Sequence, residues 1–176
     1  TVPHLQEKMK IALYGKRFND EHAVTVNRLV DALVRRGITI IVHDKFFHFL
    51  TTKFTLPANV KIFTETNELE GVDFLISVGG DGTLLDTARI IRDTKIPVLG
   101  VNTGRLGFLS NVSPDAFEDA LEALINGNFT LDSRALIEVK SNNQTFGEFP
   151  YALNEVALLN RERNSMITIH AYVNDQ

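Results

Sequence analysis

Residues 72–83 read Val72-Asp73-Phe74-Leu75-Ile76-Ser77-Val78-Gly79-Gly80-Asp81-Gly82-Thr83, an apolar, β-prone run that ends in glycines around one carboxylate. Leu84, Leu85, Ala88 and Ile91 follow at helical spacing. A strand that feeds a helix through so short a link belongs to an α/β sheet. Glycine on both sides of Asp81 lets the backbone take positive φ and lets a ligand approach with no Cβ in the way. At the carboxyl end of a strand, such a carboxylate faces the crevice where open α/β sheets bind ligands.

The segments on either side repeat the same alternation. Lys10-Ile11-Ala12-Leu13-Tyr14 reads as a first strand, and Asn19-Asp20-Glu21 supplies a cap and first-turn acid for a helix. That helix buries Val26, Leu29, Val30, Leu33 and Val34, and Gly37 ends it. Ile38-Thr39-Ile40-Ile41-Val42, Val60-Lys61-Ile62-Phe63 and Pro97-Val98-Leu99-Gly100-Val101 are further strands. Ser113-Pro114-Asp115 opens a last helix with cap, N1 proline and acid; its apolar face is Phe117, Ala120, Leu121, Leu124 and Ile125, and Gly127 closes it. The pattern predicts an α/β domain over 1–127, with a Rossmann-like parallel sheet covered on both faces.

Near residue 128 the period changes. Phe129, Leu131, Ala135, Ile137 and Val139 alternate with Thr130, Asp132, Arg134, Glu138 and Lys140, the signature of a half-buried strand. Segments 151–159 and 166–173 read as two more strands. Three strands rarely complete a β domain, so 128–176 reads as the beginning of a β-rich one.

Composition narrows the function classes. A net charge of −4 without a Lys/Arg-rich run argues against nucleic acid. No apolar stretch approaches a membrane span, and Thr1-Val2-Pro3-His4 lacks a charged-then-apolar signal pattern. The absence of cysteine removes disulfides, thiolate metal sites and a cysteine nucleophile, and fits the cytoplasm. The histidines at 4, 22, 43, 48 and 170 have no metal-ligand spacing, so no protein metal ligand is assigned. Phe46, Phe47, Phe49 and Phe54 seal either a core or a subunit contact.

The chemistry concentrates in 79–109. Gly79, Gly80, Gly82 and Thr83 at a helix start suit phosphate oxygens, and the loop lacks the G-x-x-x-x-G-K-[ST] pattern. Asp81, an anion among phosphate sites, has three readings: a base that takes the proton of an attacking hydroxyl, a Mg²⁺ ligand, or a residue of a tight turn. A second glycine loop, Gly100-Val101-Asn102-Thr103-Gly104-Arg105-Leu106-Gly107-Phe108-Leu109-Ser110, follows the next strand and reaches the same sheet edge. There Phe108 can stack on a base or enter the core, Asn102 can hydrogen-bond a base, and Arg105 can face phosphates or water. Lys16 and Arg17, after the first strand, can neutralise phosphates at that edge or remain solvated.

These residues carry a resemblance. Gly79-Gly80-Asp81-Gly82-Thr83 resembles the G-G-D-G-T signature shared by NAD kinases, diacylglycerol and sphingosine kinases and, more loosely, phosphofructokinases. Asn102-Thr103-Gly104-Arg105-Leu106-Gly107-Phe108 resembles the N-x-G-x-L-G-F stretch of NAD kinases, where lipid kinases carry a G-T-x-N-D-F-A type sequence. Leu153-Asn154-Glu155-Val156 resembles the Asn-Glu motif that opens a strand of the NAD kinase carboxyl-terminal domain. The T-P-x-G-S-T-A-Y stretch of that family is not found here.

The resemblance implies a phosphotransferase that makes NADP from NAD, with ATP as donor and Mg²⁺ as the divalent ion. Asp81 would activate the adenosine 2′-hydroxyl, Gly82 would lie against the dinucleotide, Phe108 would contact adenine, and Asn154 with Glu155 would bind its adenine and ribose side. It also implies a β-sandwich beyond residue 128 and a homo-oligomer. On the residues alone, Asn154 and Glu155 can equally be a polar rim on an edge strand, and as strand neighbours they point to opposite faces unless the strand bends or ends there. A lipid kinase of the same superfamily, or a nucleotide-binding module without turnover, are the alternatives.

Overall fold

The computed structural model describes residues 8–104, 107–110, 112–143, 145–159, 166–174 and 176. It forms two compact units, 1–135 and 136–176.

In the first unit, alternation within the strands builds a two-faced sheet. In β1 (Lys10–Gly15), Ile11 and Leu13 point to one face while Ala12 and Tyr14 point to the other. On the first face lie α1 (Ala23–Arg35), α2 (Asp44–Thr51) and α4 (Phe117–Ile125), contributing Val26, Leu29, Phe46, Leu50, Leu121 and Leu124 to the larger core. The second face packs under α3 (Asp81–Ile91) and a 3-10 turn, Thr66–Leu69, around Leu69, Leu75, Ile90 and Ile91.

The other strands are β2 (Thr39–His43), β3 (Lys61–Phe63), β4 (Phe74–Val78) and β5 (Val98–Val101). All pair in parallel, in the order β3-β2-β1-β4-β5. The winding therefore reverses at β1. Such a reversal opens a crevice at the carboxyl ends of the two central strands, because the chains leaving them turn to opposite faces. Gly15 of β1 pairs with Val78 of β4, so Lys16 and Gly79 leave the sheet abreast at that point.

Several sequence expectations shift in detail. The helix expected from Asn19 begins with a 3-10 turn, Asp20–His22, and the Asn19 side chain makes no cap bond. Ala116, not Ser113, is the N-cap of α4; the Ser113 hydroxyl oxygen accepts the Ala116 N–H at 3.3 Å and so shapes the turn before the helix. Val34 and Ile125 lie at the margins of their apolar stripes and stay partly exposed. Along α3 the buried positions are Thr83 and Thr87, while Leu84, Leu85, Ala88 and Ile91 are half-buried. Threonine is tolerated there because Thr87 donates its hydroxyl to the Leu84 carbonyl at 2.6 Å, leaving its methyl for packing. Phe46 is core, with Phe47, Phe49 and Phe54 packed around the same cluster.

In the second unit, β6 (Ile137–Glu138) and β7 (Tyr151–Ala152) form one antiparallel pair. The longer strands expected at 129–140 and 151–159 are cut to these two residues each. The described part of 166–173 forms no strand; residues 160–165 lie outside the described residues. Alternating apolar residues take up strand geometry only where a neighbour pairs the backbone and covers the face. Here Leu159, Met166, Ile167, Ile169, Tyr172 and Val173 are exposed.

The core of the first unit sets its stability. Leu121→Ala, at a fully buried position of α4, is expected to lower the unfolding free energy by about 2–5 kcal/mol. Val24→Ala, at a position 71% exposed, is expected to change it by less than about 0.5 kcal/mol. Denaturant unfolding of the two variants beside wild type checks both.

Candidate active site

The β4–α3 link is built by its glycines. Gly79 takes φ of +150°, and a Cβ there would strike the Thr83 hydroxyl, which sits directly beneath it. Its N–H donates to the Val101 carbonyl at 2.9 Å, fastening the link to the end of β5. Gly80 is the N-cap of α3 and Asp81 its first residue. Space in front of Gly80 and Gly82 is open, so the backbone of this turn is approachable.

The Asp81 side chain bridges to the second glycine loop. Its Oδ1 accepts the N–H groups of Leu109 at 3.0 Å and Ser110 at 2.8 Å, and its Oδ2 accepts that of Phe108 at 2.9 Å. Gly107 lies against the same carboxylate, where any Cβ would collide with it. The Ser110 N–H foremost, with those of Leu109 and Phe108, holds the carboxyl below its ordinary value, against partial desolvation. Asp81 is therefore a firmly ionised group.

Asn102 is 2% exposed and anchors the start of this loop. Its Oδ1 accepts the Gly104 N–H at 2.7 Å, an Asx-type turn, and its Nδ2 donates to the Ser110 carbonyl at 3.3 Å. Phe108, at the tip, is 98% exposed, which removes the core reading of this ring. Arg105 lies outside the described residues. Asn154 and Glu155 belong to the second unit, where β7 ends at Ala152; both are exposed on irregular chain, so the opposite-face constraint of a strand does not bind them.

A cavity of about 970 Å³ opens at the same edge of the sheet, beyond β1 and β2. Asp81 and its glycines do not line it. They are joined to it by α3, whose Asp86 and Arg89 do. Five Lys or Arg side chains, from Lys16, Arg17, Lys45, Arg89 and Arg92, face three carboxylates, from Asp44, Glu65 and Asp86. Lys16 pairs with Asp86 at 2.6 Å, whereas Arg17, Lys45, Arg89 and Arg92 have no side-chain ion pair or hydrogen bond among the described residues. An excess of unpaired cations in a concave wall raises the local concentration of anions. Arg92 holds its place at φ of +47°, a strained value for a residue with a Cβ.

The cavity wall also carries an aromatic stack, in which His43 meets Tyr14 and Phe63 edge to face, each at 5.3 Å between centroids. Burial lowers the His43 pKa, Lys45 adds to that, and Asp44 opposes it. The imidazole Nδ1 is buried and has no partner among the described residues.

Lys16 and Arg17 thus stand together with three further cations, Lys45, Arg89 and Arg92. Lys45 follows a strand end, as Lys16 does, and Asp86 and Arg89 share a helix face at i, i+3 spacing; both signals were present. The Ser110 amide had none, since a backbone donor carries no residue identity.

Residues 11–129 match the family model described as the ATP-NAD kinase N-terminal domain. An NAD kinase of Cytophaga hutchinsonii is 37% identical over 169 residues, which cover 96% of this chain and 58% of that protein. NAD kinases of Bacteroides fragilis and Porphyromonas gingivalis are 38% and 40% identical, each over 94% of this chain and 57% of the relative. The chain thus spans little more than half the length of these curated relatives. The crystal structure of yeast NADH kinase complexed with NADH shares the fold, with a TM-score of 0.62 and 20% identity over 77% of this chain and 44% of that one. With the glycine loops and parallel sheet inside the matched segment, the chain belongs to the ATP-NAD kinase family through its amino-terminal domain.

Proposed function

We propose that the protein carrying this chain transfers the γ-phosphoryl group of ATP to the adenosine 2′-hydroxyl of NAD, giving NADP and ADP, and that Asp81 orients and deprotonates that hydroxyl. The observation that carries this reading is the meeting of two glycine loops on one ionised carboxylate, at a sheet edge that also holds a cation-lined cavity.

A carboxylate offers about four lone-pair positions. Three are taken by backbone N–H groups, two on Oδ1 and one on Oδ2, so a free position remains on Oδ2. The hydroxyl donates there. As its oxygen forms a bond to the γ-phosphorus, the bond from phosphorus to the β-bridging oxygen breaks and ADP leaves. The proton passes to Oδ2 and then to solvent. A carboxylate held this acidic is a weak base, which suits a loose transition state in which the proton moves late and orientation matters most.

The donor phosphates lie between the cavity cations, including Lys16 and Arg17, and the turn of Gly79, Gly80 and Thr83. Gly82 and Phe108 meet the dinucleotide, and Asn102 acts through the loop it anchors. Mg²⁺ enters with the donor phosphates, which is its usual mode in such sites, and when bound neutralises their oxygens. Self-association and a cytoplasmic setting belong to the same reading.

The test is NADP formation by the natural protein from NAD, ATP and Mg²⁺, with Asp81→Asn beside it. Asparagine can keep the Leu109 and Ser110 bonds on its one oxygen, while its Nδ2, a donor, replaces Oδ2 and gives up the Phe108 bond. The variant is expected to lose about 10²–10⁴-fold in kcat while its NAD affinity stays within about tenfold. Parallel loss of binding and turnover would contradict the base role, and NAD binding without turnover in wild type would leave a non-catalytic module.

Arg92→Gly is expected to relieve the positive-φ strain and raise stability by up to about 1 kcal/mol. The same change is expected to raise the KM for ATP. Thermal unfolding and initial rates, measured on one preparation, check the two effects together.

A further inference from the structure

We propose that Asp86 is a positioning residue, whose Oδ2 fixes the Lys16 ammonium at the rim of the cavity so that it meets the donor phosphates. The inference rests on the placement of ATP in this cavity.

Two donors converge on that one oxygen. Lys16 Nζ lies 2.6 Å from Asp86 Oδ2, and the Tyr14 hydroxyl donates to it at 3.0 Å. Tyr14 and Lys16 leave β1 two residues apart, while Asp86 stands on α3, five residues and about 7.5 Å of helix rise beyond Asp81. The contact thus ties the catalytic helix to the strand beside it at the topological switch point. Burial first, and then the charge and hydrogen bond of Asp86, push the Tyr14 pKa up to about 12, so the phenol keeps its proton and remains a donor.

The charge pattern gives the contact its meaning. Asp44 pairs with His48, and Glu65 takes part in the capping box of the Thr66–Leu69 turn. Asp86 is thus the cavity carboxylate that holds one of the five cations, while the other four are left without a side-chain partner among the described residues. An ammonium on a flexible four-carbon stem gains the most from such a tether, since an untethered lysine loses its rotamer freedom only when the ligand arrives. Oδ2 serves two donors and leaves the ammonium two further protons for phosphate oxygens.

A double-mutant cycle on the natural protein tests this, read by calorimetric binding of ATP and of inorganic tripolyphosphate. Asp86→Ala is expected to weaken both by about three- to tenfold when Lys16 is present, and by less than twofold in a Lys16→Met background. Asp86→Glu should restore most of the affinity, and Tyr14→Phe should show a smaller loss that also vanishes with Lys16. In turnover, the Asp86→Ala loss should fall on the KM for ATP rather than on kcat.

Equal losses in both backgrounds would overturn the inference, since Asp86 would then be acting through the fold. Tighter anion binding by Asp86→Ala would overturn it too, because the carboxylate would merely repel the ligand. So would a wild type that binds neither probe. Tripolyphosphate binding needs no catalysis, so failure of the tether and failure of the NAD kinase reading are read separately, the latter by NADP formation.

Discussion

The carboxylate of Asp81 is the point at which two glycine-containing loops meet. Backbone amides turned away from water need an acceptor. Three consecutive amides, from Phe108 to Ser110, find it in one side chain. That arrangement explains the glycine at 107, where a side chain would displace the carboxylate, and the exposure of Phe108, which is carried outward on a loop fastened from behind. It also sets the chemistry, because the donors that order the loop are the ones that keep Asp81 ionised.

The sheet supplies the second constraint. Because winding reverses at β1, the chains after β1 and β4 diverge and leave room between them. One side of that opening carries the glycine loops, and the other carries the basic cavity. Helix α3 spans both, presenting Asp81 at its first turn and Asp86 and Arg89 further along. A carboxylate held by backbone amides and a carboxylate paired with a lysine thus sit on different turns of a single element.

Much of this was legible in the residues. The parallel sheet followed from apolar runs of four to seven residues punctuated by Gly, Pro and capping polar residues. Asp81 stood out because a lone acid among glycines is chemically conspicuous. The Asp81 contacts were not legible, since their donors are backbone groups; the i, i+3 spacing of Asp86 and Arg89 was, but it reads equally as the solvated face of a helix. Thr83 and Thr87 are not legible as buried positions, because a threonine on a helix reads as polar. Beyond residue 128 the alternation has the period of a strand, yet period 2 states only which side of a strand would be buried and cannot supply the neighbouring strand.

The Asp81 carboxylate, as an anion, orders the 107–110 loop, and the most direct test follows the backbone amides of Phe108, Leu109 and Ser110 by NMR as pH is lowered. A group whose folded pKa is depressed contributes order that is present above its unfolded pKa and lost as pH falls through the folded one. The three amides should therefore stay protected and shift together, with one midpoint below the ordinary aspartate value of 3.8. Amides that exchange as freely as an open loop, or that do not titrate with Asp81, would contradict the account.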